Sequence, residues 1–167
     1  MAAMDSNEQL QSLQRETLFA ASNTCMVLHG DSEVWFATGG GETARVFHSV
    51  DGGECWDVSE TPMKCPSKLS GIFSLAFRTP LEGIAVGGNY ENPEDFTSSN
   101  IIITQDGGKS WQPFHGDRFA GMCLFCAAWD KNQPVIVEGS SQTFHTVVPF
   151  RNQLWLAGPG KVALITN

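Results

Sequence analysis

The strongest constraint on the fold of this chain is an eight-residue pattern that occurs twice. Residues 49–56 read Ser-Val-Asp-Gly-Gly-Glu-Cys-Trp, and 55 residues later residues 104–111 read Thr-Gln-Asp-Gly-Gly-Lys-Ser-Trp. The shared pattern is a hydroxyl residue, any residue, Asp-Gly-Gly, any residue, a small residue and Trp. Two copies of so specific a pattern in 167 residues indicate an internal structural repeat.

Each copy has the composition of a tight turn between two antiparallel strands, and we call them the first and the second repeated turn. The carboxylates of Asp51 and Asp106 are predicted to accept hydrogen bonds from amides two residues further on. Gly53 and Gly108 can adopt a positive φ without a steric penalty. The Trp that ends each copy is predicted to start the next strand and to wedge between neighbouring sheets, with its indole N–H bonded locally. We assign a structural role, and no catalytic one, to the members of both turns: Ser49, Asp51, Gly53, Trp56, Thr104, Asp106, Gly108 and Trp111.

The segments before the turns repeat as well. Residues 36–40 read Phe-Ala-Thr-Gly-Gly, and residues 84–88, 48 positions on, read Ile-Ala-Val-Gly-Gly. Two weaker copies, residues 135–139 and 154–158, also end in Gly after a short apolar run. Such short β-branched and aromatic runs, bounded by Gly, Pro, Asn or Asp, are typical of strands. Strands that repeat with a period of about 50 residues favour the blades of a β-propeller over a sandwich.

The repeat assigns four strands to each complete unit. The predicted inner strands are 25–29, 72–77, 122–127 and 146–150, and the second strands are the four Gly-terminated runs. The third strands are 45–49, 101–104 and 161–165, and the fourth strands begin at Trp56 and Trp111. The third unit is truncated, because only 19 residues separate Gly139 from Gly158.

The resulting prediction is an all-β fold, a partial β-propeller of about three to four blades whose third blade is truncated. The blades occupy residues 19–167, and the final unit stops after its third strand. Residues 1–18 form an N-terminal arm that is either flexible or supplies a closing strand. Only residues 7–19 show any helical periodicity, and an extended arm is the alternative for them.

The two repeated turns resemble Asp-boxes, the bacterial neuraminidase repeats of sialidases and of many non-enzymatic propellers. Residues 34–56, 71–78 and 83–90 resemble more narrowly the propellers related to the photosystem II stability/assembly factor. The resemblance covers residues 19–111 well, 144–165 fairly and 117–143 poorly. Since propellers of that group have about seven blades, it implies that the chain corresponds to a C-terminal part of one. The resemblance also implies that the protein is a non-catalytic scaffold for protein binding or complex assembly.

Arg45 and Arg78 are the candidate contacts for a partner, because an Arg at a strand end can hold a carboxylate bidentately. Residues 77–80, Phe-Arg-Thr-Pro, are similar to the motif with which sialidases grip the substrate carboxylate, although in sialidases that motif precedes the Asp-boxes. Retaining sialidases need a Tyr nucleophile paired with a carboxylate, and the only Tyr is Tyr90 in a polar insertion. A sialidase- or glycosidase-like enzyme fragment is therefore the alternative function, and a truncated product without independent function is a third.

No pattern predicts a catalytic residue, a cofactor or a metal. Cys123 and Cys126 form a C-x-x-C pair inside an apolar run, where residues three apart point to opposite faces of a strand. They are therefore predicted to be buried free thiols. The four His are isolated, and no Gly-rich loop opens a helix, so neither a metal centre nor a nucleotide site is expected.

The charge of the chain argues against nucleic acid as a partner. Ten Lys and Arg against 18 Asp and Glu give a net charge of −8, and the basic residues are scattered. No apolar run is long enough to span a bilayer, and the N-terminus lacks the apolar core of a signal peptide. Five Cys without a glycosylation sequon favour a reducing compartment, the cytoplasm by default. The expected partner is a protein, and the open edges of a partial propeller predict self-association.

Overall fold

The chain folds into strands joined by turns. A computed structural model describes residues 13–19, 24–93, 99–114, 123–138, 145–151, 153–158 and 160–166. Within these ranges it has no helix, and so none that could cross a membrane. The strands are β1 (Met26–His29), β2 (Glu33–Ala37), β3 (Thr43–Ser49), β4 (Asp57–Lys64), β5 (Ser70–Phe77), β6 (Gly83–Asn89), β7 (Ile101–Thr104), β8 (Gln112–Pro113), β9 (Leu124–Asp130), β10 (Gln133–Glu138), β11 (Thr146–Phe150), β12 (Gln153–Gly158) and β13 (Lys161–Thr166).

These strands form four antiparallel sheets that follow one another along the chain. The first sheet has the order β1-β2-β3-β4, the second β5-β6-β7-β8, the third β9-β10 and the fourth β11-β12-β13. All strands in each sheet pair with their neighbours in sequence. The predicted all-β class is confirmed, and the described part of the third unit holds two strands.

Most observed strand bounds lie within two residues of the predicted ones. The largest differences are at two strands. The strand β2 spans Glu33–Ala37, whereas the predicted run covered residues 36–40, and β9 begins at Leu124 and runs to Asp130, whereas the predicted strand covered residues 122–127. Residue 122 lies outside the described residues. The strand continues through Trp129 because this side chain packs on the second sheet and its indole N–H donates to the Ala76 carbonyl at 3.1 Å.

The hydrophobic core consists of three layers, one between each pair of consecutive sheets. The layer between the first and second sheets includes Trp35, Val46, Met63, Leu75, Ile102 and Trp111. The layer between the second and third sheets includes Ile84, Val86, Leu124, Ala127 and the partly buried Ile136. The layer between the third and fourth sheets includes Cys126, Val147, Leu154 and Leu156. Each sheet thus buries apolar side chains against the next sheet in the chain.

The backbone of the N-terminal arm docks on the first sheet. Thr17 forms an isolated bridge with Gly39, which in turn bridges Gly71 at the start of β5. A Cβ on Gly39 would lie 2.4 Å from the carbonyl oxygen of Ser70, so only glycine permits this approach of two sheets. Residues 13–19, which we call the strap, form a turn at residues 13–16 followed by the bridge at Thr17, and not a helix. Residues 1–12 lie outside the described residues.

Candidate functional site

A buried hydroxyl group lies at the centre of each repeated turn. Ser49 Oγ accepts a hydrogen bond from the Gly53 N–H at 2.8 Å and donates to Asp51 Oδ1 at 2.8 Å. In the second turn Thr104 Oγ1 accepts the N–H of Gly108 and donates to Asp106 in the same way, at 2.9 Å and 2.8 Å. Both glycines have a positive φ, 95° and 89°, as predicted. The hydroxyl residue therefore organises the turn from its buried side.

The two carboxylates bind amides further along the chain than predicted. Asp51 Oδ1 accepts the N–H of Cys55, and Asp106 Oδ1 accepts the N–H of Ser110, both at 2.9 Å and both four residues on. The prediction that each Asp accepts the amide two residues further on is wrong. In the first turn that amide is the N–H of Gly53, and the hydroxyl oxygen of Ser49 already accepts it. The backbone N–H of Cys55 lowers the pKa of Asp51 to about 2, and the hydroxyl of Ser110 lowers the pKa of Asp106 to about 2.

The two tryptophans have the same local hydrogen bond but different surroundings. The indole N–H of Trp56 donates to the Gly53 carbonyl at 3.0 Å, and that of Trp111 donates to the Gly108 carbonyl at 3.1 Å. Trp111 is 7% exposed and wedges between the first and second sheets, as predicted. Trp56 is half-buried and contacts the ring of Phe36, 4.9 Å away, on the other face of the first sheet. The prediction that it wedges between sheets is therefore not met among the described residues, because its ring packs within its own sheet.

The second repeated turn also joins the first two sheets. The indole N–H of Trp35 on β2 donates to the Gly107 carbonyl at 2.8 Å, and Ser59 Oγ on β4 donates to the Gly108 carbonyl at 2.6 Å. The Trp35 ring is stacked between His48, at 4.3 Å, and Phe77, at 4.2 Å. These contacts support a structural role for the turn, because its carbonyls hold the neighbouring sheet in place.

A small cleft of about 270 Å³ lies beside this turn and is lined by His48. His48 Nε2 lies 3.3 Å from Glu33 Oε2, and Asp57 and Lys109 also line the cleft. The imidazole ring of His48 is held in place by stacking on Trp35. We therefore assign a packing role, and no catalytic one, to the contact between His48 and Glu33.

Arg45 grips a carboxylate, but that carboxylate belongs to the arm of the same chain. Its Nε donates to Glu16 Oε1 at 2.7 Å, and its Nη2 donates to Glu16 Oε2. The Glu16 and Arg45 side chains are only 4% and 11% exposed, and Thr38 Oγ1 donates to the same carboxylate at 2.6 Å. Burial raises the pKa of Glu16, but these hydrogen bonds outweigh it and the pKa is lowered. The predicted bidentate role of Arg45 is thus realised within the chain, where it fastens the strap.

Arg78 lies in the turn between β5 and β6, at one end of a larger cleft of about 400 Å³. Its Nε donates to Glu82 Oε2 at 2.9 Å and its Nη1 to Asn132 Oδ1 at 3.1 Å. The guanidinium also lies 5.5 Å from the centre of the Trp129 ring. The cleft lies between parts of the second and third sheets. Its apolar lining residues are Ile84, Ile103, Phe114, Trp129, Pro134 and Ile136, and its polar ones besides Arg78 are Glu82, Thr104, Gln105 and Asn132.

The predicted site residues do not converge on one place. Arg45 and Arg78 lie near opposite ends of β5. The strap held by Arg45 lies beside Gly39, which bridges Gly71 at the start of β5, whereas Arg78 directly follows the last residue of that strand. The eight residues of β5 span roughly 23 Å at about 3.3 Å per residue. Tyr90 follows the far end of β6, so it too is about one strand length from Arg78. A Tyr nucleophile and an Arg clamp for one sialoside are therefore not assembled by these residues.

The cysteines have the properties of packing residues. Cys123 and Cys126 are buried free thiols, as predicted, and burial raises their pKa to about 11 and about 12. They stay protonated at neutral pH and are poor nucleophiles or ligands. No cluster of His, Cys, Asp and Glu among the described residues could hold a metal ion.

Sequence reasoning missed the strap contact and the cleft. The partner of Arg45 is Glu16, 29 residues away in a segment without a clear pattern, so no local signal could identify it. The cleft had a signal in the predicted truncation of the third unit, because a unit without third and fourth strands would leave the outer strands of the second sheet uncovered. The chain matches no protein-family model, and a comparison with curated proteins gave no match either.

Proposed function

We propose that the chain is a non-catalytic, partial β-propeller that binds a protein partner and serves as a scaffold in complex assembly. In this proposal each sheet is one blade, and the repeated turns close the outer strands of the first two blades. The four sheets follow one another in sequence, and each packs face to face on the next one. This serial packing supports the blade arrangement.

The observation that carries the binding role is the apolar character of the two end faces. On the fourth sheet, Val148 lies opposite Trp155, which lies opposite Leu164, so the three share a face. All three are exposed, and so are Met26 and Leu28 on β1 of the first sheet. Contiguous exposed apolar residues mark protein–protein contacts. An array of sheets that ends in such faces binds either a partner or a second copy.

This proposal is tested with a tagged full-length chain in cells of its own organism. We expect a stoichiometric protein partner that binds the purified chain saturably and is weakened by Trp155→Arg on the fourth sheet. The matched control is Leu81→Arg, which adds the same charge at an exposed leucine in a turn. Equal effects of the two substitutions, or the absence of any saturable partner, would contradict the proposal.

The enzymatic alternative has its own test. We expect no turnover of a fluorogenic sialoside above a blank without protein. Hydrolysis that disappears in Arg78→Ala while the thermal unfolding curve is unchanged would overturn the non-catalytic assignment.

A further inference from the structure

We propose that the partner inserts an extended strand beside β10, antiparallel to it, in a slot between the second and fourth sheets. The slot comprises the outer edge of β10, with Ile103 and Phe114 of the second sheet on one side and Ile165 of the fourth on the other. This inference rests on the proposed function, since it adds to the end faces a second contact for the protein partner and specifies the conformation of the partner there.

The fold itself defines a strand position at this edge. In the other three sheets the second strand pairs with a third one: β2 with β3, β6 with β7 and β12 with β13. Among the strands that the structure describes, β10 pairs with β9 alone. An edge strand presents unpaired N–H and C=O groups, which a strand from another chain can bind. Among the described strands, the place beside β10 that β3, β7 and β13 hold in their own sheets is thus not taken, and an antiparallel strand can bind there.

The strand β10 carries apolar side chains on both of its faces. Ile136 packs towards the second sheet, whereas Val135 and Val137 pack towards the fourth. A run that is apolar on both faces is typical of a strand whose two faces are both covered. All three side chains are only partly buried as the chain stands. Pro134 has no N–H, so we expect the added strand to pair with the residues that follow it.

Both walls of the slot expose large apolar side chains. Ile103 and Phe114 line the cleft of about 400 Å³, and Phe114 is 45% exposed. On the opposite side of the slot, Ile165 is 49% exposed. It pairs with Leu154, whose side chain is buried against the third sheet. Residues paired across two strands share a face, so Ile165 points to the side of the fourth sheet on which the slot lies.

These walls specify the chemistry of the partner. Side chains of an inserted strand alternate between the two walls, so both of its faces must be apolar. Its N–H groups must be free, which excludes Pro from the paired residues. The Arg78 guanidinium at the end of the cleft is already paired with Glu82 and gives the slot no net charge. The partner segment is thus a short β-branched run such as the Ile-Ile-Ile-Thr of β7.

The test uses a fluorescent peptide with the sequence of residues 100–106, flanked by lysines for solubility, and the full chain. We expect saturable binding by fluorescence anisotropy and slower amide hydrogen exchange at residues 135–137 in the complex. A peptide with Pro in place of Ile102 is expected not to bind, because it lacks a central N–H. Phe114→Lys on the slot wall is expected to weaken binding at least about tenfold by placing a charge against an apolar strand.

The matched control is Phe150→Lys on the outward face of the fourth sheet, a phenylalanine of similar exposure. It is expected to bind the peptide as the unsubstituted chain does, and thermal unfolding shows that both variants are folded. Absence of saturable binding, equal weakening by both substitutions, or binding without slower exchange at residues 135–137 would overturn the inference.

Two outcomes separate this inference from the proposed function. A cellular partner that is lost with Trp155→Arg but retained with Phe114→Lys would leave the scaffold function standing and overturn the slot as its binding site. If the chain forms dimers and the peptide dissociates them, the slot is occupied by a second copy of the chain. That result would overturn the assignment of the occupant to a different protein.

Discussion

We predict that removing the hydroxyl of Thr104 destabilises the fold more than removing the carboxylate of Asp106. The Asp is the most recognisable residue of the repeated turn, but the two side chains differ in the amides that they satisfy. Thr104 Oγ1 accepts the N–H of Gly108 in a buried hydrogen bond, whereas Asp106 Oδ1 accepts the exposed N–H of Ser110. Water can take the place of the Asp106 carboxylate at the exposed N–H of Ser110, but it cannot reach the buried N–H of Gly108 to replace the Thr104 hydroxyl.

The expected magnitudes follow from this difference. Thr104→Val keeps the shape of the side chain and leaves the buried N–H of Gly108 without an acceptor, which costs about 1–3 kcal/mol. It also removes the hydroxyl donor of Asp106, so we expect a total loss of about 3 kcal/mol in the free energy of unfolding. Asp106→Ala exposes the N–H of Ser110 to solvent, and we expect a loss of only about 1 kcal/mol.

Equilibrium urea unfolding followed by tryptophan fluorescence measures both values. With a slope of about 2 kcal/mol per molar urea, the two variants should differ by about 1 M in their midpoints. Thr146→Val, which removes a hydroxyl in β11 outside both turns, controls for the loss of a hydroxyl as such. Ser49→Ala should reproduce the effect in the first turn, since Ser49 has the same bonds as Thr104. The reasoning is refuted if Asp106→Ala is as destabilising as Thr104→Val, or if Thr146→Val lowers the midpoint equally.

Three further predictions concern pH, the strap and association. Because the pKa values of Asp51 and Asp106 are about 2 in the folded chain and about 4 when unfolded, their stabilisation is complete above pH 4 and lost as the pH falls towards 2. Urea midpoints measured from pH 5 to 2 should show this loss, and Asp106→Asn should reduce it. Arg45→Ala leaves the buried carboxylate of Glu16 unpaired and should lower the free energy of unfolding by about 3 kcal/mol, whereas an unchanged urea midpoint would exclude a buried ion pair. In light scattering, residues 1–167 should form dimers or larger species, and a monomer of 18.2 kDa that is stable to dilution would contradict an open array of sheets.

The strand positions could be predicted from the sequence because the strands and their turns are local features. A run such as Ile-Ile-Ile-Thr before Asp-Gly-Gly fixes both a strand and its end, and β7 ends at Thr104, where the prediction placed it. Gly53 and Gly108 have the expected positive φ for the same reason, since glycine adopts such an angle at the lowest cost.

The contacts between sheets could not be predicted in the same way. The bond from Trp35 to the Gly107 carbonyl joins residues 72 positions apart, and no spacing in the sequence specifies it. The partner of Arg45 is similarly remote, so the sequence identified the guanidinium but not its carboxylate. Within the turn, the sequence identified the participating residues, but only the geometry shows that the hydroxyl accepts the amide that was expected to bind Asp51.

The serial order of the sheets has a consequence for how the chain folds as it is synthesised. Strands that pair only with their neighbours in sequence close short loops, which favours rapid folding of each sheet as it leaves the ribosome. The first sheet has all its strands once Lys64 has emerged, but Trp35 and Met63 stay uncovered until the second repeated turn follows. During that interval the nascent chain exposes the face that later becomes its largest apolar layer. Translation pauses between residues 64 and 111 would therefore prolong the stage most prone to aggregation.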